Sequence, residues 1–378
     1  MRIAVPVETD LTETRVAATP ETVKKLIGLG AEVVVAAGAG RHSGIPDAEF
    51  EAAGAKVVPA AETVAGADVV LSVRRLDPAT LSTANRGAAV LSIMDPYGND
   101  AALAAYAAAG LSAFAMELMP RITRAQVMDV LSSQANLAGY RAVIEAASEY
   151  GRAFPMMMTA AGTVPAAKAF IMGVGVAGLQ AIATARRLGA IVTATDVRPA
   201  TKEQVESLGA KFLAVEDEEF QQAQTAGGYA KEMSKEYQAK QAALTASHIA
   251  KQDIVITTAL IPGRPAPKLI TAEMVQSMRP GSVIVDLAVE RGGNCELAVP
   301  GQVVTTENGV KIVGHLNIPG RLAATSSSLY ARNLLAFLDT LISKESKSFA
   351  PNWDDELVKA TLLTRDGAVV HPNFQPKA

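Results

Sequence analysis

The 378-residue chain has a single cysteine, Cys295, and four histidines. One cysteine closes no internal disulfide, and the histidines are too scattered for metal-ligand spacing, so disulfide scaffolds and structural zinc are excluded. Aromatic residues make up only 4% of the chain, and charge of neither sign dominates: 35 Lys and Arg stand against 38 Asp and Glu, with no block of one sign. Nucleic-acid binding needs a basic face, and none is present. Mean hydropathy is nevertheless +0.20, so membrane spans need testing. The longest uncharged stretches, 101–116 and 169–185, fall short of the roughly 18 to 20 apolar residues of a span and are broken by glycine. The opening Met1–Pro6 is followed at once by Glu8, Asp10 and Glu13 and lacks a signal-peptide core. The expectation is a cytoplasmic chain of two or three domains.

What is present is alternation. Apolar runs and Ala-rich helical stretches, punctuated by glycine, are the pattern of βαβ units and parallel sheets. Strands are expected at 2–7, 32–36, 68–73, 88–93 and 111–116, with helices from Pro20 to the Gly28–Gly30 stop, near 47–53 and at 100–109. From Arg124 to Tyr150 the apolar spacing becomes helical, long enough to bridge two domains. An uncharged loop over 159–165 precedes a second βαβ series at 168–172, 191–195, 211–215, 253–257, 282–286 and 311–313. Polar residues 221–250 read as a functional loop leading into a helix. A helix at 326–342 returns to the first domain, leaving the second inserted in it. The expected division is 1–128 plus 325–378 against 129–324.

The sharpest local signal is Gly173-Val-Gly175-Val176-Ala177-Gly178-Leu179, directly after one strand and directly before a helix. The first glycine permits a tight turn, the second lets a pyrophosphate approach the backbone, and the third allows close helix packing, with free N–H groups facing the phosphates. The next strand ends in Asp196-Val197-Arg198, 18 residues past Gly178, where a carboxylate can take ribose hydroxyls. Asp196 would repel a 2′-phosphate, which favours NAD(H) over NADP(H). Arg198 pulls the other way, and stacking on adenosine or a surface position is its expected place. Ala259 and Leu260, beyond a later strand, could pack on the nucleotide. Asp286 divides between a site role and a loop cap, and Cys295 reads as a buried structural thiol.

Several stretches together resemble the alanine dehydrogenase and pyridine nucleotide transhydrogenase superfamily: Pro6-x-Glu8, Glu13-x-Arg15-Val-Ala-x-Thr-Pro20, Gly173 to Asp196, and Asp286-Leu-Ala-Val-Glu-x-Gly-Gly293. The resemblance implies an α/β fold of two Rossmann-like doubly wound parallel-sheet domains separated by a cleft and linked by two long helices. Within the superfamily, 116–140 looks like the proton-translocating transhydrogenase branch, where an Arg, a Gln, an Asp and a Ser hold the nicotinamide. Arg121, Gln126, Asp129 and Ser132 stand at those positions, with Ile122, Thr123 and Arg124 alongside. On residues alone, this polarity also fits an ordinary helix start with Thr123 as its cap. Gly228-Tyr229 matches that branch's mobile loop over bound nucleotide. Alanine dehydrogenases carry a Lys and a His where this chain has Arg74 and Asp95. Arg15 therefore reads as tying the N-terminal turn to its domain.

The resemblance implies an NAD(H)-binding subunit of a hydride-transferring, proton-translocating enzyme, with no metal. It implies a homodimer, NADP(H) on a partner domain, and membrane-spanning partner subunits that hold the chain at the cytoplasmic face of the inner membrane. Since the sequence stops at Ala378 after a polar tail, a separately encoded soluble subunit is expected, active only with its partners. An amino-acid dehydrogenase and a non-catalytic NAD sensor are the alternatives.

Overall fold

Residues 1–223 and 233–375 are described in the computed structural model. The chain divides into unit 1, Met1–Gln134 with Pro319–Ala378, and unit 2, Ala135–Ile318. The first border thus falls within a helix, Val130–Glu149, some residues beyond the sequence-based border at 128.

Unit 1 is built on six strands: β1 (Arg2–Val5), β2 (Glu32–Ala36), β3 (Lys56–Val58), β4 (Val69–Arg74), β5 (Ala89–Ile93) and β6 (Ser112–Ala115). They lie in the order β3-β2-β1-β4-β5-β6, every pair parallel. Chain direction across the sheet reverses between β1 and β4, the arrangement of a doubly wound fold. The interior strands are nearly continuous Val, Leu, Ile and Ala because helices cover both faces. Helix Pro20–Gly28 starts where Thr19 and Thr22 cap each other's backbone N–H, with Pro20 at the first helical position.

The returning helix, Ala323–Asp339, closes this core with Tyr330, Leu334, Phe337 and Leu338, all buried against β-strand residues. Phe337 meets Phe114 edge-on at 5.8 Å between ring centres. The Tyr330 hydroxyl donates to the carbonyls of Ser72 at 2.9 Å and Val73 at 3.2 Å, where the pairing of β4 with β5 slips. A bulge leaves strand carbonyls without ladder partners, and this hydroxyl satisfies them.

After the long helix, unit 2 forms a short antiparallel pair, β7 (Met157–Thr159) and β8 (Gly162–Val164), in place of the uncharged loop expected there. Seven strands follow: β9 (Lys168–Met172), β10 (Ile191–Thr195), β11 (Lys211–Phe212), β12 (Ile254–Thr257), β13 (Val283–Asp286), β14 (Val303–Thr305) and β15 (Lys311–Val313). Their order is β11-β10-β9-β12-β13-β15-β14, parallel except for the β14–β15 edge pair. β14 had no counterpart in the sequence reading. The β9–β12 junction is the switch point of this sheet, and helix Val176–Arg187 leads from β9 to β10.

Two helices begin elsewhere than the periodicity suggested. Residues Thr123–Met128 form a 3₁₀ turn, and the α-helix proper starts at Val130. The return helix runs from Ala323 rather than Ser326. Among the described residues, no helix is long and apolar enough to cross a membrane.

Truncating Phe337 to Ala should cost about 3 to 5 kcal/mol, the usual penalty for emptying a buried aromatic position. Tyr330→Phe, which only removes the hydroxyl from two strand carbonyls, should cost about 1 to 2 kcal/mol. Urea denaturation of the two variants checks the ranking.

Candidate functional site

The carboxyl end of β9 delivers the glycine turn. Gly173 has φ +100, and a β-carbon there would lie 2.5 Å from the Thr258 hydroxyl oxygen. A β-carbon on Gly178 would collide with the carbonyl oxygen of Gly173, so helix Val176–Arg187 can start against the turn only without one. Around Gly175 the space is open within 4 Å. That residue precedes the helix without a side-chain cap, which leaves the first N–H groups directed outward. Val176 and Ala177 form the first turn, and Leu179 donates its N–H back to the Gly175 carbonyl. Gly139, which the sequence reading passed over, lies in helix Val130–Glu149 and packs against the Ala177 carbonyl with no room for a side chain. A glycine in the middle of a helix was the available signal.

The end of β10 stands beside this turn. Asp196 accepts the Val174 backbone N–H at 2.7 Å, which fixes the middle of the glycine turn. Arg198 lies at the outer side of Asp196, its side chain 28% exposed. Its guanidinium folds back over Asp196, with the charged groups at 2.9 Å. Val197 between them is exposed.

The loop after β12 abuts the turn from the other side. Thr258 donates its N–H to the Met172 carbonyl at 2.9 Å and its hydroxyl to the Gly173 carbonyl at 3.0 Å. Buried Asn294 accepts the Ala259 N–H at 3.0 Å and donates to the carbonyls of Ala259 and Pro267 at 2.9 and 2.8 Å. Leu260 is left half exposed. Asp286 is buried and accepts from the Thr257 hydroxyl and the N–H groups of Ala288 and Cys295, all within 3.1 Å, so it organises loops and faces no ligand space. Burial pushes the Cys295 thiol up to about 11, which makes it inert.

In unit 1, the segment 121–132 divides. Arg121, Thr123 and Gln126 are exposed, and Ile122 is partly buried. Asp129 precedes the long helix and caps it: its carboxylate accepts the Ser132 N–H at 2.8 Å and the Ser132 hydroxyl at 2.5 Å. Both of these hydrogen bonds come from Ser132, one to each carboxylate oxygen. Arg124 is engaged within unit 1. Its guanidinium pairs with Asp355 at 2.8 Å and Glu356 at 3.1 Å, the acidic start of helix Glu356–Thr361. Gly228 and Tyr229 lie outside the described residues.

Unit 1 has a switch point of its own, and it is filled from within. Arg15 forks onto Glu13 with both contacts at 2.7 Å and reaches Gln134 at 2.8 Å, all three residues buried. Arg74 adds a 2.9 Å bond to Glu13. Burial opposes charge on Glu13, but the two guanidinium groups overcome it and hold the carboxyl below its usual range. Asp95 takes a left-handed φ of 47, and its N–H is held by Glu117 at 2.5 Å. Glu8 accepts the N–H groups of Val73 and Arg74 at the β4 bulge, at 2.6 and 3.1 Å. Burial outweighs those bonds and pushes its carboxyl up to about 7.

Glu8 titrates near 4.5 in an unfolded chain and near 7 here, so the folded state holds the extra proton between those values. Stability should therefore fall as pH rises through that window. Thermal unfolding of Glu8→Gln, followed across it, should decline less steeply than wild type.

Residues 4–138 match the family described as alanine dehydrogenase/PNT, N-terminal domain, and residues 142–372 its C-terminal domain. The chain is 56% identical over 378 residues to the first part of the NAD(P) transhydrogenase alpha subunit of Rhodospirillum rubrum, covering 98% of each. A crystal structure of transhydrogenase from Sinorhizobium meliloti superposes with a TM-score of 0.89 at 64% identity, covering 98% of this chain and 100% of that one. An alanine dehydrogenase of Halomonas elongata is more distant, 30% identical over 98% of this chain and 95% of its own length.

Proposed function

Because the chain belongs to the alanine dehydrogenase/PNT family, on its transhydrogenase side, we propose that it is the NAD(H)-binding component of a proton-translocating NAD(P) transhydrogenase. Its reaction is direct hydride transfer between NAD(H) bound here and NADP(H) held by a partner domain. Membrane-spanning partner subunits couple that exchange to proton movement and keep the chain at the cytoplasmic face of the inner membrane. A homodimer is part of this reading.

One observation carries the proposal: the glycine turn of unit 2. Gly175 leaves space where a backbone must meet phosphate oxygens, the helix behind it begins uncapped, and a carboxylate stands at the end of the neighbouring strand. These residues fit a dinucleotide. Bound there, NAD(H) supplies a hydride donor or acceptor at its nicotinamide ring. Gly173, Gly175, Val176, Ala177, Gly178 and Leu179 seat the pyrophosphate, Asp196 to Arg198 take the adenosine ribose, and Ala259 and Leu260 cover an apolar face. Arg121, Gln126, Asp129 and Ser132 are assigned to the nicotinamide carboxamide on the resemblance, and Gly228 and Tyr229 to closure over it. Hydride exchange between two rings moves no solvent proton at the reacting carbon, so orientation is what the protein must supply. Misplacement by about 1 Å can cost about 10²-fold. Asp129 serves orientation in a second way, since its cap on Ser132 fixes the start of the helix that carries Ser132.

Gly175→Val tests the seat. Its β-carbon meets nothing in the protein, so the variant should keep its Tm while NADH binding, followed by fluorescence titration, is lost.

The activity itself is tested by mixing the chain with an NADP(H)-binding transhydrogenase domain, NADPH and an NAD analogue. Reduction of the analogue is expected in the mixture and with neither protein alone, and Asp129→Asn should slow it far more than it weakens NADH binding. No exchange with a competent partner would remove the reading. NADH oxidation by the isolated chain with pyruvate and ammonium would replace it with an amino-acid dehydrogenase.

A further inference from the structure

The carboxylate of Asp196 is saturated by the protein. Its Oδ2 accepts the Val174 N–H at 2.7 Å and Nη2 of Arg198 at 3.0 Å. Its Oδ1 accepts the backbone N–H and Nε of Arg198, both at 2.9 Å. An ionised carboxylate offers about four lone-pair directions, and these four bonds use them. Nη2 of Arg198 also donates to the Val174 carbonyl at 3.1 Å, so the guanidinium spans from Asp196 to the glycine turn. The Asp196 side chain keeps 7% of its surface exposed and the Arg198 side chain 28%, so the arginine is the outer member of the pair.

We infer that Arg198 is the specificity-determining residue of the nucleotide site, setting how strongly Asp196 separates NAD(H) from NADP(H). The inference rests on the NAD(H)-binding reading and deepens it. A ribose 2′-hydroxyl can donate to Asp196 only where Arg198 withdraws Nε or Nη2, so the arginine competes with the favoured nucleotide. A 2′-phosphate approaching a bare Asp196 would meet an uncompensated like charge. With Arg198 in place it meets a pair of zero net charge whose outer member is a cation with donors matched to phosphate oxygens. Arg198 thus acts on the two nucleotides with opposite sign, weakening NADH and favouring NADPH. A residue that merely braced the turn would act on both alike.

The test is calorimetric titration of the whole chain with NADH and, separately, with NADPH, for wild type, Arg198→Ala and Arg198→Lys. In Arg198→Ala, NADH should bind several-fold more tightly and NADPH about tenfold more weakly, a change on the scale of one charge-assisted hydrogen bond. Arg198→Lys keeps the charge and loses the fork. It should tighten NADH as well but lose less NADPH affinity, and it carries the test if the alanine variant does not fold. Equal weakening of both nucleotides, or an unchanged ratio in both variants, overturns the inference and leaves NAD(H) binding standing. Failure of the wild-type chain to bind either nucleotide overturns that reading and the inference together.

Discussion

Two β-carbons that are missing set the geometry of unit 2. Helix Val176–Arg187 begins within touching distance of the Gly173 carbonyl because Gly178 has no side chain, and helix Val130–Glu149 reaches the Ala177 carbonyl because Gly139 has none. Backbone dipoles are thereby brought together at the carboxyl edge of the sheet, at the β9–β12 switch point where doubly wound folds take their ligands. The Val174 N–H is held by Asp196 and the Gly173 carbonyl by Thr258, so the turn is fixed on both flanks before any ligand arrives. That arrangement is preorganisation: side chains around the turn are spent on holding the backbone still.

The two units share the order of their first five strands and use their switch points differently. In unit 2 the turn leaves space beside an uncapped helix. In unit 1 the corresponding place is taken by Glu8 on the β4 bulge and by Glu13, Arg15, Arg74 and Gln134 bonded to one another. Fold alone therefore does not decide where a ligand goes; what fills the crevice does.

How much of this was legible follows burial and sequence distance. The interior strands were readable because a strand covered on both faces is a run of Val, Ile and Leu, and β9, β10 and β15 fall where the sequence put them. The short edge strands β3 and β14 and the exposed β7–β8 pair were not, since strands so little buried carry no hydrophobic period. The glycine turn was fully legible, being one local motif with a physical reason for each glycine. Thr123 was the expected cap of the long helix, but it starts a 3₁₀ turn, and the cap is Asp129 on Ser132. Arg124 could not be placed from sequence, because Asp355 and Glu356 lie more than 200 residues away. The same limit hid Asn294, whose loop partners are brought to it by the sheet.

The order in which the chain passes through its units has a consequence for biosynthesis. Unit 2 is one uninterrupted segment, whereas unit 1 draws Tyr330, Leu334, Phe337 and Leu338 from residues made after unit 2. As the polypeptide leaves the ribosome, residues 135–318 are complete while the first 134 still lack the helix that closes their core. The part of unit 1 made before unit 2 must therefore wait for its own interior until unit 2 is complete. During that interval the inner faces of β1, β4 and β5 lack the cover of Tyr330, Leu334, Phe337 and Leu338, which makes this unit the one more dependent on protection from aggregation.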